Sequence, residues 1–387
     1  MALVKGENVS QGHILWDISK RWPASDWNQL TKFHLVPNDV VVAMDRPWIP
    51  AGLKWSFIRE GDPPALLVQR CARLRTNVQG LDQNFLRFVI GSRSFEEYVE
   101  PITTGVNVPH ISGQQILDYR FLLPPLSIQQ KIAACLTAYD QLMDNSQRRI
   151  RILEEMARKL YREWFVYFRF PGHESVLRVA SALGEIPKGW EVKKVGDSFE
   201  ISGGGTPARA NPEFWEQGDV QWYSPNNLTG AATMFMDDSR DHITSIGLQK
   251  SSARLFPPFS VMLTSRATIG AIAINTHEAC TNQGFITCIP NDRVPLYFLF
   301  HWLTENVPTF LRMASGATFK EISRGVFKTI DFVQPPSALV HSFESRVTPI
   351  GKQMLALQRQ VQNLRRTRDL LLPRLLSGNV SLQNTDP

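Results

Sequence analysis

The first of two long apolar repeats in this chain opens with a proline pair and reads Pro124-Pro125-Leu126-Ser127-Ile128-Gln129-Gln130-Lys131-Ile132. A second pair, Pro335-Pro336, follows 211 positions later, and the same shift superposes further identical residues without a gap. These matches are Gly105 with Gly316, Ile111-Ser112 with Ile322-Ser323, and Phe121 with Phe332. A repeat of this length indicates that the chain contains two copies of one structural unit.

Apolar residues follow each proline pair at alternating spacings of four and three, the pattern of a helix that lies along another helix. The first series is Ile132, Leu136, Tyr139, Met143, Ser146, Ile150, Leu153, Ala157, Leu160 and Trp164. The second series, 211 positions higher, is Phe343, Val347, Ile350, Met354, Leu357, Val361, Leu364, Arg368, Leu371 and Leu375. Because all but Ser146 and Arg368 are apolar or aromatic, the two series predict a paired coiled coil whose residues are structural.

The predicted fold class is α+β, with two globular regions of mixed strands and helices separated by the two long helices. The expected boundaries are 1–124 and 171–335 for the globular regions, 125–170 and 336–380 for the helices, and 381–387 for a tail. A helix over 127–168 would be about 60 Å long at ~1.5 Å per residue. Two such helices pair most simply antiparallel, which relates the two halves by a pseudo-two-fold axis. Pro349 and Gly351 predict a kink or break in the second helix, and Pro373 predicts that its last turn unravels.

The composition favours a cytoplasmic protein of more than one domain. The chain has 387 residues, and single cores stop growing at about 250–300 residues. Its four cysteines lie far apart without metal-binding spacing, which indicates a reducing compartment and predicts neither a zinc cluster nor a disulfide framework. No apolar run reaches the ~18 residues of a membrane span. The net charge of +6 favours an anionic partner without demanding one.

Motifs for catalysis are incomplete or missing. Two stretches come near the loop of amino-methyltransferases, but Phe256-Pro257-Pro258-Phe259 lacks its polar first residue and Asp62-Pro63-Pro64-Ala65 lacks its aromatic last residue. The sequence contains no Gly-x-x-x-x-Gly-Lys-Ser/Thr phosphate loop, and its eight histidines form no metal-binding pair. We therefore expect a chain without catalytic residues, metal ligands or a cofactor of its own.

Several passages resemble the specificity (S) subunits of type I restriction-modification systems. The opening at 124–132 is similar to the Pro-Pro-Leu-x-x-Gln-x-x-Ile start of the helices in that family. Residues 160–174 resemble the end of the central helical region in one branch of the family, and residues 186–197 resemble the entry to a target recognition domain. The ending Leu371-Leu372-Pro373-Arg374-Leu375-Leu376-Ser377-Gly378 is similar to the usual C-terminus of the family. Together these passages extend over almost the whole chain.

The resemblance implies that each globular region is a target recognition domain for one half of an interrupted double-stranded DNA sequence. It implies that the helices set the spacing between the halves and dock two modification (M) subunits, through which restriction (R) subunits join. Methyl transfer with S-adenosylmethionine, and DNA cleavage with ATP and Mg, would then belong to the partner subunits.

Candidate DNA-binding residues are the basic, amide, hydroxyl and aromatic side chains of polar loops, which suit phosphates and base edges. In the first globular region they are Lys5, Asn8, Arg46, Trp48 and Asn107. In the second they are Thr206, Arg209, Tyr223, Asn226, Asn227, Arg266, Thr268, Thr318 and Lys320. The loops occupy similar places in the two halves but differ in sequence, which suits two different half-sites.

The repeat also predicts that the first globular region is shortened. The turn at 4–8 matches the turn at 223–227, but nothing before it corresponds to residues 186–220, so about 35 positions have no counterpart. Two other functions stay open. One is a truncated assembly or regulatory protein of a restriction complex that does not read DNA. The other is a dimeric coiled-coil transcription regulator, which is disfavoured because no helix-turn-helix pattern occurs.

Overall fold

A computed structural model describes residues 1–77, 79–105, 108–231, 233–316 and 318–379. The chain divides into two compact units: unit 1 comprises Met1–Gln147 and Arg359–Pro387, and unit 2 comprises Arg148–Gln358. Each unit therefore contains a globular region and a part of both long helices. The tail predicted at 381–387 lies outside the described residues.

Unit 1 is built from short strands and helices. Its strands are β1 (Ala2–Val4), β2 (His34–Leu35), β3 (Val40–Ala43), β4 (Trp48–Ile49), β5 (Gly52–Leu53), β6 (Trp55–Phe57), β7 (Ala65–Leu67) and β8 (Cys71–Leu74). Its helices are α1 (Gln83–Ile90), α2 (Arg93–Ile102), α3 (Gly113–Leu117) and the first part of α4 (Leu126–Tyr161), with 3-10 turns at Ala24–Gln29 and Thr31–Phe33. The described strands form sheets in the orders β1-β7-β2, β6-β3-β8 and β4-β5.

Strand β3 lies at the centre of unit 1. Its four residues are apolar and fully buried, because successive side chains of a strand point to opposite faces and both faces are covered here. Val41 packs with residues of β1 and β7 on one face. Val40 and Val42 pack with apolar residues of α1 and α2 on the other.

Unit 2 begins within α4, which ends in a π-helical turn at Arg162–Val166. Its strands are β9 (Arg178–Ser181), β10 (Gly184–Pro187), β11 (Glu191–Lys194), β12 (Glu200–Gly203), β13 (Val220–Tyr223), β14 (Phe235–Met236), β15 (Asp241–Ile243), β16 (Val261–Thr264), β17 (Ile272–Asn275), β18 (Ala279–Thr281), β19 (Phe285–Ile289) and β20 (Asp331–Gln334). Its helices are α5 (Val195–Ser198), α6 (Pro225–Ala231), α7 (Ser245–Gln249), α8 (Leu296–Met313), α9 (Arg324–Lys328) and the first part of α10 (Ser337–Leu376), with 3-10 turns at His173–Ser175 and Pro212–Phe214.

The main sheet of unit 2 has the order β12-β19-β16-β17-β14, beside smaller sheets β15-β13-β18, β11-β20 and β10-β9. Successive side chains of its central strand β16 point to two different apolar clusters, as those of β3 do. Val261 and Leu263 face a large cluster that includes α8 and both long helices, whereas Met262 faces a second cluster. The mixed α+β class and the two long helices predicted from the sequence are confirmed.

Two strand pairs recur in the two units. Parallel pair β1·β7 corresponds to β13·β18, and antiparallel pair β3·β8 corresponds to β16·β19. The match of Ile111-Ser112 with Ile322-Ser323 in the repeat also has a structural reason. Ile111 and Ile322 are buried, while Ser112 and Ser323 accept hydrogen bonds at the N-termini of α3 and α9.

The long helices α4 and α10 run antiparallel within each unit. In unit 1, Arg368 contacts Asp140, whereas the later Leu375 shares a core cluster with the earlier Ile132. In unit 2, the ring centroids of Phe343 and Trp164 lie 6.1 Å apart, and the later residues of α10 join the same cluster as the earlier residues of α4. All twenty residues of the two apolar series are buried or half-buried.

The second helix neither breaks near Pro349 nor unravels at Pro373, so these expectations are wrong, whereas the alternative of a kink near Pro349 stays a prediction. Helix α10 is continuous through Pro349 and Gly351, because Val347 and Met354 on either side are anchored in the core and Gly351 packs directly against the Tyr297 ring. The helix also continues past Pro373 to Leu376, because Leu375 is buried. The first helix is shorter than expected, since its α-helical part ends at Tyr161.

Gln129 gives the proline-pair motif a structural role in unit 1. Its side chain is fully buried, and its amide nitrogen donates to the carbonyls of Gly80 and Pro124 at 2.7 and 2.8 Å. Its amide oxygen accepts from the backbone nitrogen of Asp82, the residue that caps α1. The start of α4 is thereby tied to the start of α1.

Candidate nucleic-acid interface

Each unit holds a pair of neighbouring loops, here called its loop pair. In unit 1 these are loop 44–49 after β3 and hairpin 104–110; in unit 2 they are loop 265–270 after β16 and hairpin 315–321. Two backbone bonds join the loops in each unit at corresponding places. In unit 1 they run from Arg46 N to Pro109 O (2.7 Å) and from Ile111 N to Met44 O (2.9 Å). In unit 2 they run from Ala267 N to Lys320 O (3.0 Å) and from Ile322 N to Ser265 O (2.9 Å).

The base of each hairpin is closed by a pair of reciprocal backbone bonds. Thr104 and His110 exchange them in unit 1, at 3.0 and 2.7 Å, and Ser315 and Glu321 exchange them in unit 2, at 3.0 and 2.8 Å. The loop pairs are therefore held by the same main-chain framework, whatever side chains they carry.

Gly105 and Gly316 are required by the hairpins. Their φ angles are +99° and +129°, a region that other residues rarely adopt. A Cβ atom on either would lie within 2.4 Å of a carbonyl oxygen, that of Val108 or that of Phe319. This explains why the repeat matches these two glycines.

A contact between an acidic and a basic residue links the two loops in each unit, but the acidic residue lies on opposite loops. In unit 1 the acid lies on loop 44–49: Asp45 contacts His110 Nδ1 of the hairpin at 2.5 Å and also pairs with Arg70. In unit 2 the base lies on the loop, since Arg266 Nε is 3.6 Å from Glu321 Oε2 of the hairpin. We call these contacts the loop clamps.

Asp45 of the unit 1 clamp and the nearby Lys54 have altered pKa values. Burial alone would raise the pKa of Asp45, but hydrogen bonds from His110 and Arg70 outweigh burial and lower it. Burial lowers the pKa of Lys54, whose ammonium donates to the carbonyl of Gly6 at 2.7 Å.

Most of the predicted residues on the loop pairs are accessible. Trp48 is half-buried, and its indole nitrogen donates to Thr103 Oγ1 at 3.2 Å. Asn107 lies outside the described residues. The others are exposed: Arg46 in unit 1, and Arg266, Thr268, Thr318 and Lys320 in unit 2. The structure thus brings the four residues predicted around 266 and 320 onto one loop pair.

A second group of predicted residues surrounds Arg209 in unit 2. The Arg209 guanidinium lies 3.6 Å from the ring centroid of Trp215 and 4.7 Å from that of Trp222, and its Nη2 donates to Asp241 at 2.9 Å. Thr206, on the same loop, donates to Gln283 at 2.6 Å. Both are exposed, but their own contacts hold them in defined positions.

The third predicted group serves the fold. Asn8 is fully buried: its amide oxygen accepts from Lys5 N and its amide nitrogen donates to Leu3 O. Asn227 forms the corresponding bond with Ser224 N at 2.7 Å. Tyr223 is fully buried at the end of β13, so its predicted place in a polar loop is wrong, because the adjoining strands β15 and β18 enclose it.

The two remaining residues of this group are not enclosed. Asn226 is exposed near the start of α6, and Lys5 is half-buried with its ammonium 2.6 Å from Glu7. The asparagine matched between the halves therefore marks a repeated turn rather than a repeated reading position.

Sequence reasoning missed the loop clamps and Trp215. One signal was present: His110 and Glu321 occupy matching positions in the repeat, and each is close in space to a residue that follows the central strand. The opposite placement of the acidic residue in the two units is visible only when the loops are placed together.

No set of three or more His, Cys, Asp or Glu side chains in the described parts of either unit could hold a metal ion. Burial raises the pKa of Cys71 and of Cys280 to about 12, so these thiols are protonated at neutral pH. None of the described helices is both long and apolar enough to cross a membrane.

Comparison with known proteins places the chain in a family. The type I restriction modification DNA specificity domain matches it twice, over residues 31–155 and 187–339. The MjaIX specificity subunit of Methanocaldococcus jannaschii is 24% identical over 79% of this chain and 70% of its own length. The HindI specificity subunit of Haemophilus influenzae is 24% identical over 76% of this chain and 77% of its own length.

A solved structure supports the fold. The S subunit of a type I restriction-modification system from M. genitalium superposes with a TM-score of 0.58 at 15% identity, over 96% of this chain and 91% of that one. The two family matches together include most of the chain, and each contains one of the two loop pairs. The chain therefore belongs to the specificity subunits of type I restriction-modification systems.

Proposed function

We propose that each unit reads one half of a bipartite double-stranded DNA target through its loop pair. The observation that carries this proposal is that one main-chain framework presents different side chains in the two units. A fixed framework positions side chains for base edges, and different side chains suit different half-sites. The proposed DNA-contacting residues are Arg46, Trp48 and Asn107 in unit 1 and Arg266, Thr268, Thr318 and Lys320 in unit 2.

Arg209 and Thr206 form a second proposed contact in unit 2. The two tryptophans and Asp241 fix the Arg209 guanidinium, which lowers the entropy lost when it binds. An arginine held in this way is suited to a phosphate or to the edge of a guanine. We place Lys5 and Asn226 at the edge of the interface, whereas Asn8, Asn227 and Tyr223 support it from within.

The long helices are proposed to dock two M subunits and to set the distance between the half-sites. Methyl transfer with S-adenosylmethionine would be carried out by those subunits, and cleavage with ATP and Mg by R subunits that join through them. This chain would contribute the sequence specificity and no catalytic group, and it would act in the cytoplasm. Support comes from the family membership and from exposed apolar residues on both long helices, Leu142 and Met156 on α4 and Leu370 on α10.

The test is methylation by the chain assembled with its cognate M subunits, followed by sequencing of methylated sites. We expect one interrupted motif. Lys320→Ala should weaken DNA binding and lower the slope of log Kd against log salt by about one, because one phosphate contact is lost. Lys188→Ala is the matched control, since Lys188 is also exposed but does not belong to the loop pair.

A stable complex with M subunits that methylates no motif would favour the alternative, an assembly or regulatory protein that does not read DNA. Loss of assembly in Lys320→Ala would show that this residue is structural.

A further inference from the structure

Each unit contains a three-residue turn beside its loop pair. In unit 1 the turn spans 68–70, between β7 and β8, and in unit 2 it spans 282–284, between β18 and β19. The middle residue is Gln69 in the first turn and Gln283 in the second, so we call these the glutamine turns. The 211-position shift does not superpose the two glutamines, and only the matching strands reveal that they correspond.

The first residue of each glutamine turn is bonded to the same neighbouring strand. In unit 1, Val68 N donates at 3.0 Å to the carbonyl of Val4, the last residue of β1. In unit 2, Asn282 N donates at 2.9 Å to the carbonyl of Tyr223, the last residue of β13. The Asn282 side chain also accepts from Gly284 N at 2.8 Å, across the turn. The start of each turn is therefore fixed within its unit.

The last residue of each glutamine turn is bonded to the loop pair. Met44 N donates to Arg70 O at 2.9 Å in unit 1, and Ser265 N donates to Gly284 O at 2.8 Å in unit 2. The carbonyls of Met44 and Ser265 accept from the residue that follows each hairpin. One residue thus ties both the turn and the hairpin to the loop between them. In unit 1 the Arg70 guanidinium also pairs with Asp45 of the clamp.

The middle residue of each turn is exposed on this framework. Gln69 and Gln283 are both accessible, although the residues on either side of them differ between the two turns. In unit 2, Thr206 Oγ1 donates to Gln283 Oε1 at 2.6 Å, so Gln283 links the Thr206 loop to the loop pair. This bond uses one of the two lone pairs of the carboxamide oxygen. The other lone pair and the amide hydrogens can still serve a ligand.

A glutamine carboxamide matches the edge of one base. In the major groove it accepts from N6 of adenine and donates to N7, and this pair of bonds discriminates against the other bases. Because the side chain is neutral, it replaces no counterion at a phosphate and adds little to overall attraction. An exposed glutamine beside proposed DNA-contacting residues is therefore suited to reading sequence.

We propose that Gln69 and Gln283 each read an A·T base pair, at the same place relative to the loop pair of their unit. The loop pairs differ in their side chains, whereas the glutamine turns present the same side chain on the same main-chain framework. The two half-sites therefore share one A·T pair. This inference rests on the proposed function, because it adds one specificity-determining residue to each unit.

The test uses the full chain assembled with its cognate M subunits, followed by sequencing of methylated sites. The unaltered chain should give an interrupted motif with an A·T pair in each half. Gln283→Ala should lose selection of one such pair in one half, and Gln69→Ala should lose it in the other half. Each change should lower the preference for A·T at that position by about tenfold, while all other positions keep their preference.

Gln283→Glu separates base reading from a role in the fold. Glutamate has nearly the same shape, but its carboxylate only accepts hydrogen bonds and therefore suits cytosine, whose N4 donates. The preference at that one position should change from A·T toward C·G. A residue that only supports the turn would instead weaken methylation at all sites equally.

Two other glutamines serve as matched controls. Gln29→Ala in unit 1 and Gln249→Ala in unit 2 also remove exposed carboxamides, but neither residue belongs to a glutamine turn or a loop pair. Both variants should leave the motif unchanged.

Three results would overturn the inference, and they differ in what else they affect. An unchanged motif in both the Gln69→Ala and the Gln283→Ala complexes would refute it and leave the proposed function intact. An equal loss at all sites in Gln283→Ala and Gln283→Glu would assign Gln283 to the fold. A lack of any interrupted motif with the unaltered chain would refute the proposed function as well.

Discussion

At the scale of single residues, the clamp between Arg266 and Glu321 orders the unit 2 loop pair. Both side chains are about half exposed, so the pair adds little to global stability and its effect should be local. We predict that Arg266→Glu, which places two acids together, speeds amide hydrogen exchange at 315 and 321. The double change Arg266→Glu with Glu321→Arg should restore slow exchange. Equal exchange in the single and double variants would show that the clamp does not order the hairpin.

Gly316 supports a second prediction at this scale. Gly316→Ala should disrupt the hairpin, because the residue has a φ of +129° and its new methyl group would meet the carbonyl oxygen of Phe319. We expect a local cost of about 1–3 kcal/mol, measured as faster exchange across 315–321 and weaker DNA binding. Gly230→Ala is the control, since nothing lies within 4 Å of its Cβ position in α6, and it should be neutral or stabilising.

His301 makes unit 2 sensitive to acid. It is buried on α8 with its ring 5.6 Å from that of Tyr161, and burial lowers its pKa to about 4, with a smaller contribution from Arg158. The unfolded chain, with an ordinary histidine pKa of about 6.5, binds this proton more readily than the folded chain. The free energy of unfolding should therefore fall as pH drops from 6.5 to 4, by at most about 1.4 kcal/mol per unit.

Urea unfolding at pH 7, 6 and 5 measures this dependence. His301→Phe should flatten it, whereas His13→Gln, at an exposed position, should leave it unchanged. An undiminished slope in His301→Phe would assign the acid sensitivity to another group.

At the scale of secondary-structure elements, one polar cluster lies among the apolar contacts of unit 1. Asp140 of α4 accepts from Arg368 of α10 at 2.8 Å and from Arg87 of α1 at 3.3 Å. The Arg87 side chain is only 4% exposed, so removing Asp140 would leave a buried cation without a counter-ion. We predict that Asp140→Asn destabilises the chain by about 3–5 kcal/mol.

Chemical denaturation tests this prediction, with Asp144→Asn as the control. Asp144 is 57% exposed and lies 3.7 Å from Arg59, so its loss should cost less than about 1 kcal/mol. Similar effects of the two changes would mean that the Arg87 cation gains access to water.

The long helices were predictable because their signal is periodic and recurs at ten positions in each apolar series. The same reasoning failed at Pro349 and Pro373. It considered the low helix propensity of proline but not the buried neighbouring residues whose packing stabilises the helix. It also failed at Asn8 and Tyr223. A polar residue near a turn looks the same in sequence whether it faces solvent or supports the turn from within, and only the surrounding strands distinguish the two.

At the scale of the whole molecule, the two loop pairs should act on separate halves of the target. We predict that Arg46→Ala relaxes one half of the methylated motif and that Arg266→Ala relaxes the other, each at a cost of about 1–3 kcal/mol if the arginine reads a base. Sequencing of methylated sites from each variant measures this. Relaxation of the same half by both variants would contradict a division of reading between the units.

The site could be predicted from the sequence only in part. Exposed residues such as Arg266 and Lys320 stood out because they follow a strand or a glycine of the repeat. Their partners did not, because Glu321 and Arg266 are 55 positions apart and only the fold brings them together.

The opposite placement of the acidic residue in the two loop clamps also constrains how one arrangement can be changed into the other. A single substitution toward the other arrangement places two acidic or two basic residues together. The change therefore requires either paired substitutions or an uncharged residue at one of the two positions. For the same reason the hairpins are not interchangeable today: Glu321 grafted opposite Asp45 would meet an acid, and recombination between the halves of one gene would be disfavoured at this point.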